Sequence, residues 1–502
     1  MSASWSGGYV TDVEYTRGYS ISQSPHMLAL SCLINGLAVD APWDNRHMHY
    51  LELGCGRGVN ACVIAAANPG WQVTGIDFMP AAIADARKLA AEAGLDNITF
   101  IEADLSGFAE SAPGMALAEA DIITAHGVWS WVGDPVRAGI VRLVAAKLRA
   151  GGLMHVSYNS LPAQQGVLAM QRVMREAGLR LARRSDRQVV AGRELVQALA
   201  AAGATHLTST TMVRELLPRL DDLPVAYLAH EYMNEAWRPC FHADVAGSLA
   251  AAKLDFAGSA RLMENFADLL LTAEQKAIHD RFDDPVMREL VIDTCTNRTL
   301  RHDIYVRGAA RLSERERDAA LGRVRLALAI APDQFRYVLK MPAGEAQLSE
   351  ASYRPMVAAL AEGTQSIAEL IARRGPDAGA ANPGEVAMML AGTYQALVVS
   401  DHGAAPSERT HRFNQAMARR DVRLDNLNAT SAMASLRLGA GYPVRAGEVL
   451  VAARIGMTGE VPDPVAFAAE LLPAGPERDE LARQIAMVLR DRLAVWQRLG
   501  IV

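Results

Sequence analysis

The chain has 502 residues, 50% of them hydrophobic and 21% charged, which predicts a soluble protein of two or three domains rather than one core. A formal charge of -6 gives no general attraction to nucleic acid or anionic lipid. The five cysteines are scattered without a C-x-x-C pair, and neither a signal peptide nor an apolar run long enough to span a membrane is visible. The expectation is therefore a cytoplasmic protein with no disulfide framework, no metal site and no nucleic-acid partner.

From residue 49 short apolar runs alternate with helical periodicity, the pattern of a parallel sheet with crossover helices. "HYLELG" predicts the first strand and "NACVIAAAN" a helix closed by Asn68-Pro69-Gly70. "QVTGID" predicts the second strand, and "MPAAIADARKLAAEAG" a helix with Pro80 in its first turn and Gly94 at its end. "ITFIEAD" and "ADIITAHG" supply the third and fourth strands. Asp134 and Pro135 then open a helix whose Val136, Ile140, Val144 and Leu148 recur every four residues. "LMHVSYN", 153–159, is the fifth strand.

Residues 163–236 turn helical and charged. The strand rhythm resumes in "HADVAGSLAAAKLDFAGSARL", a helix running into a strand, and ends with "RTLRHDIYVRG". The expected fold is α/β: a Rossmann-like sheet of about seven strands with a helical insertion after strand five, plus a separate mixed α/β C-terminal domain. The boundaries follow as 1–45, a covering segment; 46–162, the core; 163–241, the insertion; 242–308, completion of the sheet; and 309–502, the C-terminal domain. Within the last, "FRYVLKM" predicts a short strand and "GPDAGAANPGE" a loop.

The loop "LELGCGRGVN" identifies the ligand class. Gly54, Gly56 and Gly58 are spaced G-x-G-x-G, not G-x-G-x-x-G, and Glu52 stands two residues before them. A carboxylate there is awkward beside a pyrophosphate and useful beside a cation, which favours S-adenosylmethionine, with its sulfonium and ammonium. Asp77, ending the second strand, suits a ribose diol. Asp104, ending the third, suits an adenine amine, with Leu105 covering the ring.

On "LELGCGRG", "VTGIDF", "IEADL", "DIITAHGVWSWV" and "LRAGGLMHVSYN", residues 49–159 resemble the core of a class I S-adenosylmethionine-dependent methyltransferase. "YTRGYSISQSPHML" and "AYLAHEYMNEAWRPCFHADV" are similar to segments of bacterial methyltransferases carrying a regulatory domain, among them rickettsial protein-lysine methyltransferases. The resemblance implies further cofactor contacts from Tyr15, Arg17, Tyr19, Cys55, Phe78, His126 and Gly127, and a homodimer. It also implies S-adenosylhomocysteine as product and a protein substrate presenting lysine.

The chain lacks [N/D]-P-P-[Y/F] after strand four, which disfavours amide or base nitrogens as acceptor. A lysine amine must be desolvated or meet a base, and aromatic walls suit it. Trp129, Trp131, His230, Tyr232 and Trp237 are the expected substrate contacts, and Tyr158, Asn159 and Glu231 the expected catalytic residues. Two alternatives stay open: methylation of a small amine or hydroxyl, and a non-catalytic S-adenosylmethionine-binding regulator.

Overall fold

The computed structural model describes residues 6–14, 18–44, 47–374, 382–400 and 407–502. Tyr15, Arg17 and most of the loop expected at "GPDAGAANPGE" lie outside the described residues. An N-terminal helix, α1 (Pro25–Ile34), precedes the sheet. The sheet strands are β1 (His49–Leu53), β2 (Gln72–Asp77), β3 (Ile98–Glu102), β4 (Ala120–Ala125), β5 (Leu148–Asn159), β6 (Leu254–Ser259) and β7 (Leu300–Arg307). Among the described residues these form the largest sheet, in the order β3-β2-β1-β4-β5-β7-β6. β1 to β5 pair in parallel, while β7 runs antiparallel to both β5 and β6. Chain order reverses across β1 and β4, so the carboxyl edge opens there, where open α/β sheets take their ligands.

Helix α2 (Val59–Ala67) decides how the rest packs. Its sequence, VNACVIAAA, has no polar face, and all nine residues are buried. A helix that is apolar all round must be covered on every side. The sheet covers one side. A hairpin of strands Thr430–Ser435 and Ala440–Arg445 covers the other, and both belong to one continuous apolar cluster that extends to Trp496 and Ile501. The approach is close: a Cβ on Gly441 would stand 2.8 Å from Val63 Cγ1. Asn68 Nδ2 also donates to the Gly439 carbonyl at 2.8 Å. The C-terminal region thus brings further sheets and helices while sharing its core with the sheet domain.

The insertion after β5 is helical: α3 (Val167–Leu181), α4 (Ser185–Ala201) and α5 (Val225–Tyr232), with shorter turns between. It has its own apolar cluster, in which Met170, Met174, Val189 and Val196 meet Tyr232 and Trp237. Among the described residues no helix is long and apolar enough to cross a membrane.

A buried ionic network ties β5 to β7. Arg301, fully buried, donates to Asp303 at 2.9 Å, to Asp293 at 2.7 and 2.8 Å, and to Glu289 at 2.8 Å. Asp303 also accepts from the Tyr158 hydroxyl at 2.6 Å and lies 2.9 Å from His242 Nδ1. Burial alone would push the Asp303 carboxyl up, yet Arg301 and the bonds from His242 and Tyr158 hold it well below the usual carboxylate range. Tyr158 is therefore a core residue with its hydroxyl committed. It shares the apolar face of Met154 and Val156, which corrects the expectation that it meets the substrate. Tyr158→Phe is expected to cost about 1.5–3 kcal/mol of stability, the worth of a hydrogen bond to a charged group. It should leave affinity for S-adenosylhomocysteine unchanged; thermal denaturation and titration calorimetry on the same preparation check both.

Candidate functional site

A cavity of about 500 Å³ opens at the carboxyl edge of β1 to β4. The turn after β1 builds its floor. Gly54 N and Cys55 N donate to the Ile76 carbonyl at 2.8 and 3.0 Å, folding the loop over β2. Gly54, Gly56 and Gly58 have φ of +69°, +51° and +73°, where a side chain is strained. The space around them differs. A Cβ on Gly54 would stand 2.3 Å from Val128 Cγ2, and one on Gly58 2.5 Å from Ala86 Cβ and 2.7 Å from Phe100. Around Gly56 nothing lies within 4 Å of that position. Gly54 and Gly56 border the cavity. Gly58 does not: it lets α2 pack against the helix Pro80–Glu92, so its expected role as a cofactor contact is corrected to a packing role.

The electrostatics are one-sided. Asp12, Glu14, Glu52, Asp77 and Asp104 line the cavity. Arg57 is the one guanidinium among the described lining residues, and it is paired with Asp85 at 2.7 Å and Glu14 at 2.9 Å. Glu52 is 4% exposed, and its Oε2 has no hydrogen-bond partner among the described residues. Burial pushes its carboxyl up to about 8, an effect that hydrogen bonding from Asn60 and the Ala61 backbone only partly offsets. Burial raises Asp77 as well, although its carboxylate accepts from Gly56 N at 2.8 Å and Met79 N at 2.9 Å. Asp104, exposed beyond β3, accepts from Ser106 N at 2.8 Å beside buried Leu105.

This lining opposes a pyrophosphate and fits a ligand with a sulfonium, an ammonium and a ribose diol. Glu52 would hold the positive end, Asp77 the ribose, and Asp104 with Leu105 the adenine. Tyr19, Cys55, Phe78, His126 and Gly127 also border the cavity. Tyr19 is held by a segment 422 residues away in the chain, its hydroxyl donating to the Gly441 carbonyl at 2.9 Å. Burial pulls the His126 ring down to about 4, favouring its neutral form.

Residues 6–14 lie along the cavity and are clasped by the insertion. Val10 N donates to Asn234 Oδ1 at 2.8 Å, His230 Nε2 lies 2.8 Å from the Val13 carbonyl, and Ser185 N donates to Asp12 Oδ2 at 2.9 Å. Tyr9 meets Phe78 edge-on at 5.4 Å and His230 at 5.8 Å. Sequence reasoning missed Tyr9, Asp12 and Asn60, which line the same space. The signal for Asn60 was its place in an otherwise apolar helix; Tyr9 and Asp12 carry none without the fold.

The expected substrate contacts divide. Trp131 and His230 line the cavity. Trp129 does not: it is 2% exposed, its carbonyl accepts from Arg137 Nε at 2.8 Å, and it borders a separate cleft with Arg238. Tyr232 and Trp237 are core residues of the insertion. Asn159 and Glu231 form a polar pair behind the cavity, with Glu231 Oε1 accepting from Asn159 Nδ2 at 3.0 Å and Trp237 Nε1 at 3.3 Å. None of these five borders the cavity, which corrects their expected roles toward the substrate. Position in the chain suggested each of them, and hydrogen bonds or apolar packing turn each one inward.

Comparison with known proteins identifies the family. A methyltransferase-domain family matches residues 44–216, and a predicted methyltransferase regulatory domain matches 224–307. The Synechocystis protein sll1526 is 33% identical over 370 residues, covering 73% of this chain and 71% of that protein. The Rickettsia prowazekii protein RP789 is 30% identical over 156 residues, 31% of this chain and 27% of its own length. Among solved structures, PKMT2 from Rickettsia typhi, in complex with AdoHcy, superposes with a TM-score of 0.69 at 15% identity, over 97% of this chain and 99% of that one. The chain belongs to the class I S-adenosylmethionine-dependent methyltransferases that carry a methyltransferase regulatory domain.

Proposed function

We propose that this methyltransferase modifies lysine side chains of a protein substrate. The observation that carries the reading is the pairing of an acid-lined cavity with aromatic walls: Tyr9, Tyr19, Phe78 and Trp131 border the same space as the carboxylates. Carboxylates draw in an ammonium, and aromatic faces hold it while excluding water. The likeness to PKMT2 runs through insertion and C-terminal region alike, and that neighbour's designation agrees with the same substrate class.

When bound, S-adenosylmethionine supplies an electrophilic methyl group. The chain's own part is alignment and desolvation. A lysine amine, with an ordinary pKa of about 10.4, has to lose a proton before it attacks. His126, held near 4, is a poor acceptor for that proton. Glu231 is tied to Asn159 and Trp237, and Tyr158 to Asp303, so neither reaches the acceptor. The proton leaves to water before the amine is aligned, and the aromatic wall then holds the neutral amine in place for attack.

Incubating the full chain with methyl-labelled S-adenosylmethionine and an envelope or cytosolic extract should place label on lysines of protein bands, read by mass spectrometry. Label found in small molecules alone contradicts the reading.

Glu52 gives a second prediction with two opposite signs. Its pKa is higher folded, about 8, than the ordinary 4.5, so the folded state favours the protonated form and loses stability as pH rises between those values. Glu52→Gln should therefore raise the melting temperature of the unliganded protein above about pH 8, the gain closing toward pH 4.5. The same substitution should weaken S-adenosylmethionine binding by about 10- to 100-fold, the worth of a charge-assisted hydrogen bond. Melting curves across pH, with calorimetry, read both.

A further inference from the structure

Three histidines whose rings have no assigned part in methyl transfer converge on one face of the sheet. His126 follows β4, His155 lies on β5 opposite Thr124, and His302 lies on β7 opposite Ser157. Register puts all three on one side of neighbouring strands, although 29 and 147 residues separate them in sequence, from 126 to 155 and from 155 to 302. Their ring centres form a nearly equilateral triangle with sides of 5.4, 5.7 and 5.9 Å, and one nitrogen from each ring lies within 4.8 Å of the other two.

The hydrogen bonding of this cluster is unusual. His126 Nδ1 and both ring nitrogens of His155 and His302 are buried with no hydrogen-bond partner among the described residues. Buried polar groups are normally satisfied, and leaving one without a partner is costly. Three imidazoles facing one another also offer no acceptor that a neighbouring backbone group has taken up. Arg261, a nearby positive charge, is engaged by Glu264 at 3.6 Å.

We propose that His126, His155 and His302 form a binding site for a divalent transition-metal ion of the zinc class. Zinc takes imidazole nitrogens at about 2.0–2.1 Å, which sets three ring centres sharing one ion roughly 5.5 Å apart. The observed sides straddle that value, so closure needs side-chain shifts and no movement of strands. The ion takes one nitrogen from each ring, giving a partner to at least two of the five orphans. A three-histidine set leaves a fourth position for water or a substrate atom, and since His126 borders the cavity, the ion stands at the wall of the methyl-transfer site. The site is independent of which acceptor the enzyme uses.

The test uses the full chain, stripped with a chelator and titrated with Co²⁺ or Zn²⁺. The expected result is about one equivalent bound, with visible absorption of a low-coordinate Co²⁺ complex. The zinc X-ray absorption edge of the wild-type protein should report three imidazoles at about 2.0–2.1 Å. His155→Gln and His302→Gln, made separately, should each weaken binding beyond the about 10- to 100-fold typical of an outer-shell loss, while S-adenosylhomocysteine affinity holds. Three outcomes overturn the proposal: a wild-type chain that retains neither metal, an edge spectrum with fewer than three imidazoles, or either folded variant binding as tightly as wild type. The first two need only the wild-type protein, so the site remains open to refutation even where a variant fails to fold.

Discussion

A carboxylate buried at the tip of β1 governs the site. Glu52 is taken out of water at the point where the chain turns over Gly54, and burial pushes its proton affinity up to about 8. A buried carboxylate without a cation costs the fold stability. It is also what a cationic ligand can use, because the binding partner provides the charge that the protein lacks. Asp12, Glu14, Asp77 and Asp104 extend the same sign around the cavity, while Arg57 is neutralised locally by Asp85 and Glu14. The electrostatics therefore select a sulfonium and ammonium donor over a pyrophosphate, using the same strand-turn-helix geometry that serves both ligand classes on related sheets.

Segments distant in sequence hold that site in shape. Residues 6–14 lie along the cavity because the insertion grips them through His230, Asn234 and Ser185. Tyr19 is positioned by the backbone of Gly441 in the C-terminal hairpin, which also covers the apolar back of α2. Insertion and C-terminal region thus both touch the walls of the cavity. The C-terminal region is built into the same core, so changes in its packing reach Tyr19 through the two hydrogen bonds its hydroxyl exchanges with the Gly441 backbone.

The sheet, its crossover helices and the glycine turn were legible because they rest on local signals: strand periodicity, Pro80 near a helix start, and glycines where φ is positive. That Glu52, Asp77, Asp104 and His126 border one cavity was legible because strand ends in open α/β sheets meet at one edge. Tyr158 was misread although the clue was present. Its parity matches Met154 and Val156, which places it on the apolar face, and its partner Asp303 lies 145 residues away. Trp237, Asn159 and Glu231 failed likewise: each side chain is turned inward by a contact that no local pattern announces. The sequence of α2, VNACVIAAA, requires cover on more than one side, and the C-terminal hairpin supplies part of it. The histidine triangle depended wholly on register between β4, β5 and β7, since no spacing in the chain links its members.

The measurement that tests the central claim most directly is calorimetric titration of the purified full chain with S-adenosylhomocysteine and, in parallel, with NAD. An acid-lined cavity closed over Glu52 should saturate with S-adenosylhomocysteine at about one equivalent and give no heat with the dinucleotide. Tight binding of NAD with none of S-adenosylhomocysteine would contradict the account.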